Sequence, residues 1–221
     1  SLIPMNERIT GGRVGAILDL RGDRIVDTTA GVPDNGLLQD VVNRMDAFAS
    51  GLIESANNLY AASSTQRMES NPFVYIDSTD AILNSGLNVK EGAFEVVIYN
   101  IDGDEIARRA ISINAATAMS GAAGTNSIEG QLLNAQDDNG DGSATNDIDD
   151  FVQFKWASYA NGTAGVELVM DGVKASSGYT FAIEDKLTTD SYSSGSNFAG
   201  ALGLNRFFDG TKAQDMNLNF E

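Results

Sequence analysis

The stretch with the clearest potential for chemistry is residues 137–150, DDNGDGSATNDIDD, which holds six aspartates and no lysine or arginine. It opens with Asp137, Asn139, Asp141 and Gly142. An EF-hand calcium loop begins in the same way, with oxygen ligands at positions 1, 3 and 5 and a glycine at position 6 that permits the turn. The opening of this stretch therefore predicts the first half of a calcium site.

The second half of the stretch departs from that pattern. Ser143 would offer its carbonyl at position 7 and Thr145 stands at position 9, but position 12, where a bidentate acid belongs, is Ile148. A distorted loop could recruit Asp149 instead. The calcium candidates are thus Asp137, Asn139, Asp141, Ser143, Thr145 and Asp149. The alternative is a solvated turn in which these side chains bond to their own backbone, and on that interpretation no cofactor is expected.

Beyond the acidic stretch, the sequence gives little support for a catalytic site or another metal site. Cysteine and histidine are both absent, which excludes thiolate catalysis, Ser-His-Asp triads and zinc sites of the HExxH type. Two further groups of acids, 102–105 and 147–150, are interpreted as surface residues. Arg108 and Arg109 form a basic pair on a strand, one on each face. We therefore expect a protein that is not an enzyme.

Charge and hydropathy limit the classes of partner that this chain is expected to bind. The chain of 221 residues carries a formal charge of −17, which opposes binding to nucleic acid and to anionic membranes. No apolar run is long enough to span a membrane. Residues 1–9 lack the apolar core of a cleaved signal peptide.

A heptad pattern marks the longest predicted helix, 37–63. Leu38, Met45, Leu52 and Leu59 recur every seven residues, and Val41 and Phe48 occupy the second seam position between them. This a/d pattern over about three heptads is typical of helices that pair with other helices. Two interpretations remain open: the seam packs on the helix's own domain, or it pairs with a helix outside this chain.

Beyond residue 66 the hydrophobic period changes from helical to two. Strands are predicted at 73–77, 93–100, 105–113, 151–159, 165–171 and 178–185, with turns at Asp102-Gly103 and Asn161-Gly162. A short helix is predicted after Ser127, and 190–200 is predicted to be loop. The fold class is therefore α+β, with a helical, stalk-like segment at 1–66, an inserted antiparallel β-rich domain at 67–197 and a return segment at 198–221 that packs on the helical part.

Two stretches resemble the bacterial flagellar hook-associated protein 1 family. At the first, Gly11, Gly12, Gly15 and Arg21 precede the long helix with its late asparagine, Asn57 or Asn58. The second is the segment SNFAGALGLNRFFDGTKAQDMNLN, which matches the family at Leu202, Gly203, Phe207, Phe208, Gly210, Ala213 and Asp215. The order of these motifs along the chain carries the resemblance more than any single motif does.

The resemblance implies a structural subunit of the hook–filament junction, and this chain would be its central fragment without the terminal helices. Family members reach the cell exterior through the flagellar type III export apparatus without a cleaved signal. The expected partners are copies of the chain, the hook protein, the second junction protein and an export chaperone. Leu38, Val41, Met45, Phe48, Leu52, Leu59, Phe207 and Phe208 are then the expected packing residues.

Two alternatives stay open. One is another axial protein of the flagellum, hook protein or flagellin, which shares the plan of a helical stalk with a β-domain. The other is a calcium-dependent secreted adhesin or carbohydrate-binding module, for which the acidic loop would be the central feature.

Overall fold

The computed structural model describes residues 9, 11–25, 31–74, 77–143, 145–185 and 195–220. The chain divides into two compact units: Ser1–Gly51 with Gly210–Met216, and Leu52–Asp209 with Asn217–Glu221. These limits differ from the predicted boundaries at 66 and 197. The reason is that the last turns of the long helix and most of the return segment pack with the β-strands of the second unit.

The first unit is helical, as predicted. Helix α1 spans Gly12–Arg21, and helix α2 spans Leu37–Ala61, belonging to the first unit as far as Gly51. Asp34 and Asn35 lie just before α2 and bond to the segment that follows α1. Asn35 Oδ1 accepts hydrogen bonds from the backbone N–H groups of Asp23 and Arg24, both at 2.9 Å, while Asp34 pairs with the Arg24 guanidinium. These bonds tie the connection before α2 to the segment that follows α1.

The second unit contains a three-stranded antiparallel sheet in the order β4-β3-β7. Its strands span Gly92–Tyr99 (β3), Glu105–Ile113 (β4) and Thr180–Glu184 (β7). The predicted β3–β4 hairpin is confirmed, with Val96 opposite Arg109. Gly103 in its turn has a φ of +86°, a value that residues with a Cβ rarely adopt.

A second sheet has four strands. They are Arg67–Glu69 (β1), Phe73–Val74 (β2), Val152–Ser158 (β5) and Thr163–Met170 (β6), and β6 pairs with all three others. The predicted turn at Asn161-Gly162 joins β5 to β6. Of the strand predicted at 73–77, Phe73 and Val74 are confirmed, residues 75 and 76 lie outside the described residues, and Asp77 is not in a strand.

Four short α-helices, a 3-10 helix at Ile82–Asn84 and a small hairpin complete the described part of the second unit. The helices span Ile128–Leu132 (α3), Ile148–Phe151 (α4), Gly172–Ser176 (α5) and Phe198–Leu202 (α6), and the hairpin joins Phe208–Asp209 (β8) to Asn217–Leu218 (β9). Ser127 caps α3 as predicted, accepting a bond from Gly130 N at 2.9 Å. The prediction that 190–200 is loop is wrong from residue 198 onward; residues 190–194 lie outside the described residues.

The core of the second unit lies among the strands and short helices. Phe198 of α6 is fully buried and stacks on Phe94 of β3, with the ring centroids 4.5 Å apart and the planes 4° apart. This contact explains α6, since the burial of one aromatic side chain stabilises a turn of helix that its small neighbours would not form alone. Trp156 of β5 packs edge-on against Phe73 of β2.

Candidate assembly surface and acidic loop

The apolar seam of α2 lies on the surface of the first unit. Its four side chains there are 47–73% exposed: Leu38 (54%), Val41 (47%), Met45 (58%) and Phe48 (73%). They are spaced at i, i+3, i+7 and i+10, so they form one stripe along the helix. We call this stripe the exposed seam. Side chains of α1 are exposed as well, namely Val14, Ile17 and Leu20.

The part of α2 in the second unit shows which face of the helix is buried. Ile53, Asn57 and Ala61 are 0–3% exposed and recur every four residues. Leu52 and Leu59, which continue the heptad pattern, are 44% and 78% exposed. The interpretation in which the seam packs on the helix's own domain is therefore wrong, because the buried face runs through 53, 57 and 61.

Asn57 connects the return segment to this buried face. Its side-chain Oδ1 accepts hydrogen bonds from the backbone N–H groups of Phe207 and Phe208, at 2.8 and 2.9 Å, and its Nδ2 donates to Phe208 O at 3.1 Å. The amide thus pairs with residue 208 as a neighbouring strand would. The resemblance had pointed to a late asparagine in this helix, but its partners follow only from the structure.

The aromatic pair of the return segment is less buried than predicted. Phe207 is 43% exposed and Phe208 is half-buried. The centroids of their two rings are 4.8 Å apart. The ring centroid of Phe207 also lies 5.6 Å from that of Tyr60 at the end of α2. The contact with α2 is present, but these positions are not core positions, so replacing either phenylalanine with alanine is expected to cost less than the loss of about 3–5 kcal/mol typical of a core.

The acidic loop is organised by bonds to its own backbone. Asp137 accepts bonds from Gly140 N at 2.7 Å and Gly142 N at 3.0 Å, and Asn139 Oδ1 accepts from Asp141 N at 3.0 Å. Asp141 in turn accepts from Ser143 N at 2.7 Å. The carboxylates therefore serve as turn acceptors, as the alternative interpretation predicted.

Asp141 is held in addition by a neighbouring amide. Asn146 Nδ2 donates to its carboxylate at 2.8 Å, and Ser143 Oγ lies 3.1 Å from Thr145 Oγ1. The bond from Asn146 is the main reason that the pKa of Asp141 lies below its ordinary value, with the bond from Ser143 N next.

Arg109 of β4 is the buried centre of this region, which the sequence did not reveal. Its guanidinium binds the Asp138 carboxylate, with Nη2 to Oδ2 at 2.7 Å, and Asp149 Oδ1 at 2.9 Å. The side chains of Arg109 and Asp138 are 3% and 0% exposed. Burial alone would lower the pKa of Arg109, but its bonds to Asp138 and Asp149 raise the pKa above its ordinary value.

The six calcium candidates do not form one oxygen cage. Asp149 is bound to Arg109, whereas Asp137 and Asp141 bond within the loop. Within the part of the chain that the structure describes, no group of three or more acidic side chains is placed to hold a metal ion. The donor set therefore does not fit a calcium ion as the EF-hand spacing would require. Asp147 also differs from expectation, because it is 1% exposed rather than a surface acid.

Calcium titration checks this interpretation. We expect about 1 mM calcium, added after chelation, to leave the melting temperature unchanged, whereas a micromolar site would stabilise the fold by about 4 kcal/mol. Among the described residues, Asn146 Oδ1 and Asp147 Oδ2 are buried without a hydrogen-bond partner, so they are the atoms that a cation would engage first. Calcium-dependent stabilisation that disappears in Asp147→Asn would contradict the prediction.

Arg108 lies on the other face of β4 at the centre of a second ion cluster. Its Nη1 contacts Glu95 on β3 at 2.5 Å and Glu184 on β7 at 2.7 Å, and its Nη2 contacts Glu105 at 2.8 Å. The hydrogen bonds from Arg108 hold the pKa of Glu105 below its ordinary value. The two arginines do point to opposite faces, but each is embedded among acids of distant segments.

No model of a known protein family matches this chain, and no curated protein matches it either. Over the described residues, no helix combines the length and apolar character needed to cross a membrane.

Proposed function

We propose that this chain is a structural subunit of the bacterial flagellum at the junction between hook and filament, acting through contacts between subunits rather than through catalysis. The observation that carries the proposal is the exposed seam of α2, from Leu38 to Phe48. Apolar side chains in a contiguous stripe mark a surface that another protein covers. Heptad spacing specifies that the covering element is a helix.

The distribution of charge supports assembly through the first unit. The first unit contains six basic and eight acidic residues, a net charge of −2, whereas the second contains eight basic and 23 acidic residues, a net charge of −15. The exposed seam can therefore approach another subunit with little electrostatic repulsion. The strongly acidic second unit opposes association through its own surface, so contacts through the seam are favoured over others.

The identity of the partners rests on the resemblance in the glycine-rich start before α2 and in the Phe207–Phe208 segment. On that basis the seam packs against helices of other copies and of neighbouring axial proteins, the hook protein and the second junction protein. The chain would reach this position outside the cell through the flagellar export apparatus, with an export chaperone binding it beforehand.

A substitution in the seam tests the assembly mechanism. Phe48→Asp places a charge in the stripe and is expected to abolish filament attachment, and hence motility, in cells that carry it in the complete gene. Val173→Asp is the matched control, because Val173 is exposed to a similar extent, 75% against 73%, but lies on α5 of the second unit. Normal motility with Phe48→Asp, at an unchanged melting temperature, would exclude the seam as an assembly surface.

The location of the protein tests the flagellar assignment itself. Immunogold labelling is expected to mark a narrow band where the hook meets the filament. Labelling along the whole filament would identify a flagellin, and labelling along the hook would identify a hook protein. Labelling that avoids flagella altogether would refute an axial role.

A further inference from the structure

A cleft of about 370 Å³ lies in the second unit, beside the end of α2, strand β1 and the return segment. Its lining combines aromatic rings with planar polar groups: Tyr60, Arg67, Met68, Glu69, Asn205, Arg206, Phe207 and Asn219. We propose that this cleft binds a neutral sugar, one pyranose unit of a glycan. The proposal does not depend on the flagellar assignment.

Two aromatic side chains supply the apolar part of the site. Tyr60 and Phe207 are 44% and 43% exposed, with ring centroids 5.6 Å apart and planes inclined by 56°. Phe207 is fixed from behind by Phe208, whose ring meets it edge-on. One face of a pyranose carries only C–H groups and packs on such rings, and rings that are already ordered lose little conformational entropy on binding.

The polar side chains around the rings are held in fixed directions. Asn205 Nδ2 donates to Tyr60 O at 3.2 Å, and Asn219 Nδ2 donates to Arg206 O at 3.1 Å. Arg67 Nη2 donates to Glu69 Oε2 at 3.1 Å. Sugar hydroxyls both donate and accept hydrogen bonds, so a mixture of amides, a guanidinium and a carboxylate suits them. The volume of the cleft is at the small end of the range for ligand sites, roughly 300–1,000 Å³, which fits one sugar unit.

The charges around the cleft favour a neutral ligand over an acidic one. Arg67 pairs with Glu69 and Glu167, and Arg206 pairs with Asp209. The two guanidiniums are thus balanced by three carboxylates within these contacts. A phosphate or an acidic sugar would find its positive partners already neutralised, in a chain whose formal charge is −17.

Ligand-observed NMR with the whole chain tests the proposal, using glucose, galactose, mannose and N-acetylglucosamine and their disaccharides as probes. We expect saturation transfer from the protein to at least one of these sugars. Tyr60→Ala and Phe207→Leu are each expected to weaken its binding about five- to tenfold, since each removes a stacking ring. Tyr159→Ala is the matched control, because Tyr159 is also 44% exposed but does not line the cleft.

Three outcomes would overturn the proposal. The first is the absence of transfer to any neutral sugar, and the second is transfer only to sialic or glucuronic acid. The third is binding that Tyr60→Ala and Phe207→Leu leave unchanged, or that Tyr159→Ala reduces equally. Should either aromatic variant lose its fold by circular dichroism, Asn219→Ala takes its place, with weaker binding expected from the loss of one polar contact.

Discussion

Replacing Arg109 with alanine is expected to lower the free energy of unfolding of the second unit by about 3–5 kcal/mol. The substitution leaves the carboxylate of Asp138, which is 0% exposed, without its cation. It also removes the donors to the carbonyls of Gln131 and Leu132, bonded at 3.0 and 2.9 Å. Breaking one side of a buried ion pair costs more than the pair contributes, because an uncompensated charge remains in the interior.

Urea unfolding followed by tryptophan fluorescence measures this effect, since Trp156 is the single tryptophan and lies in the second unit. Arg67→Ala is the matched control. Arg67 also forms two ion pairs, but its side chain is 59% exposed, so we expect a loss of less than about 1 kcal/mol.

A second variant distinguishes the effect of the unpaired buried charge on stability from the effect of the lost packing of the arginine side chain. Arg109→Ala combined with Asp138→Asn is expected to be more stable than Arg109→Ala alone, because the stranded charge is gone. If the double variant is less stable than Arg109→Ala, the uncompensated charge is not the cause of the loss.

Replacing Asn57 with alanine is expected to lower the free energy of unfolding of the second unit by about 2–4 kcal/mol, the largest effect after that of Arg109→Ala. The side chain is fully buried and satisfies two backbone N–H groups and one carbonyl of the return segment. An unsatisfied buried donor or acceptor costs about 1–3 kcal/mol, and partial access of water to residues 207 and 208 reduces the total. The return segment would then detach from α2 more readily than the rest of the unit unfolds.

Hydrogen exchange at Phe207 and Phe208 distinguishes this local effect from global destabilisation. We expect their amides to lose protection in Asn57→Ala, while the amides of β3 change less. Gln153→Ala provides the control, because Gln153 is an exposed amide side chain of the same unit and should change stability by less than about 0.5 kcal/mol. Protection at Phe207 and Phe208 equal to that of the unaltered protein would show that Asn57 does not anchor this segment.

Arg109 and Asn57 show that local sequence patterns do not predict contacts between distant segments of the chain. The β3–β4 and β5–β6 hairpins were predictable because an alternating pattern and an Asp-Gly or Asn-Gly turn act within about ten residues. The partners of Arg109 lie 29 and 40 residues away in the chain, and the bonds of Asn57 span 150 and 151 residues. No local rule connects side chains over such separations.

The acidic loop shows that one local sequence pattern can be compatible with two different structures. Its opening residues predicted both a calcium loop and a self-bonded turn, because the two structures need the same aspartate spacing. In the structure the Asp149 carboxylate, which a distorted calcium loop would recruit, is bound to the guanidinium of Arg109 on β4. Arg109 and Asp149 are 40 residues apart in the chain, so no local pattern predicts this contact.

Residue types and their periods determine the α+β class, the long helix, the hairpins and the acidic surface of this protein, because helix and strand periodicity and turn chemistry depend on near neighbours. Only the tertiary structure decides which face of α2 is buried. Heptad spacing identifies an apolar stripe, but Ile53, Asn57 and Ala61 are the buried residues of the helix beyond Gly51. Burial depends on contacts with segments that are distant in the chain, such as the bonds between Asn57 and the return segment, and a local period does not specify those contacts.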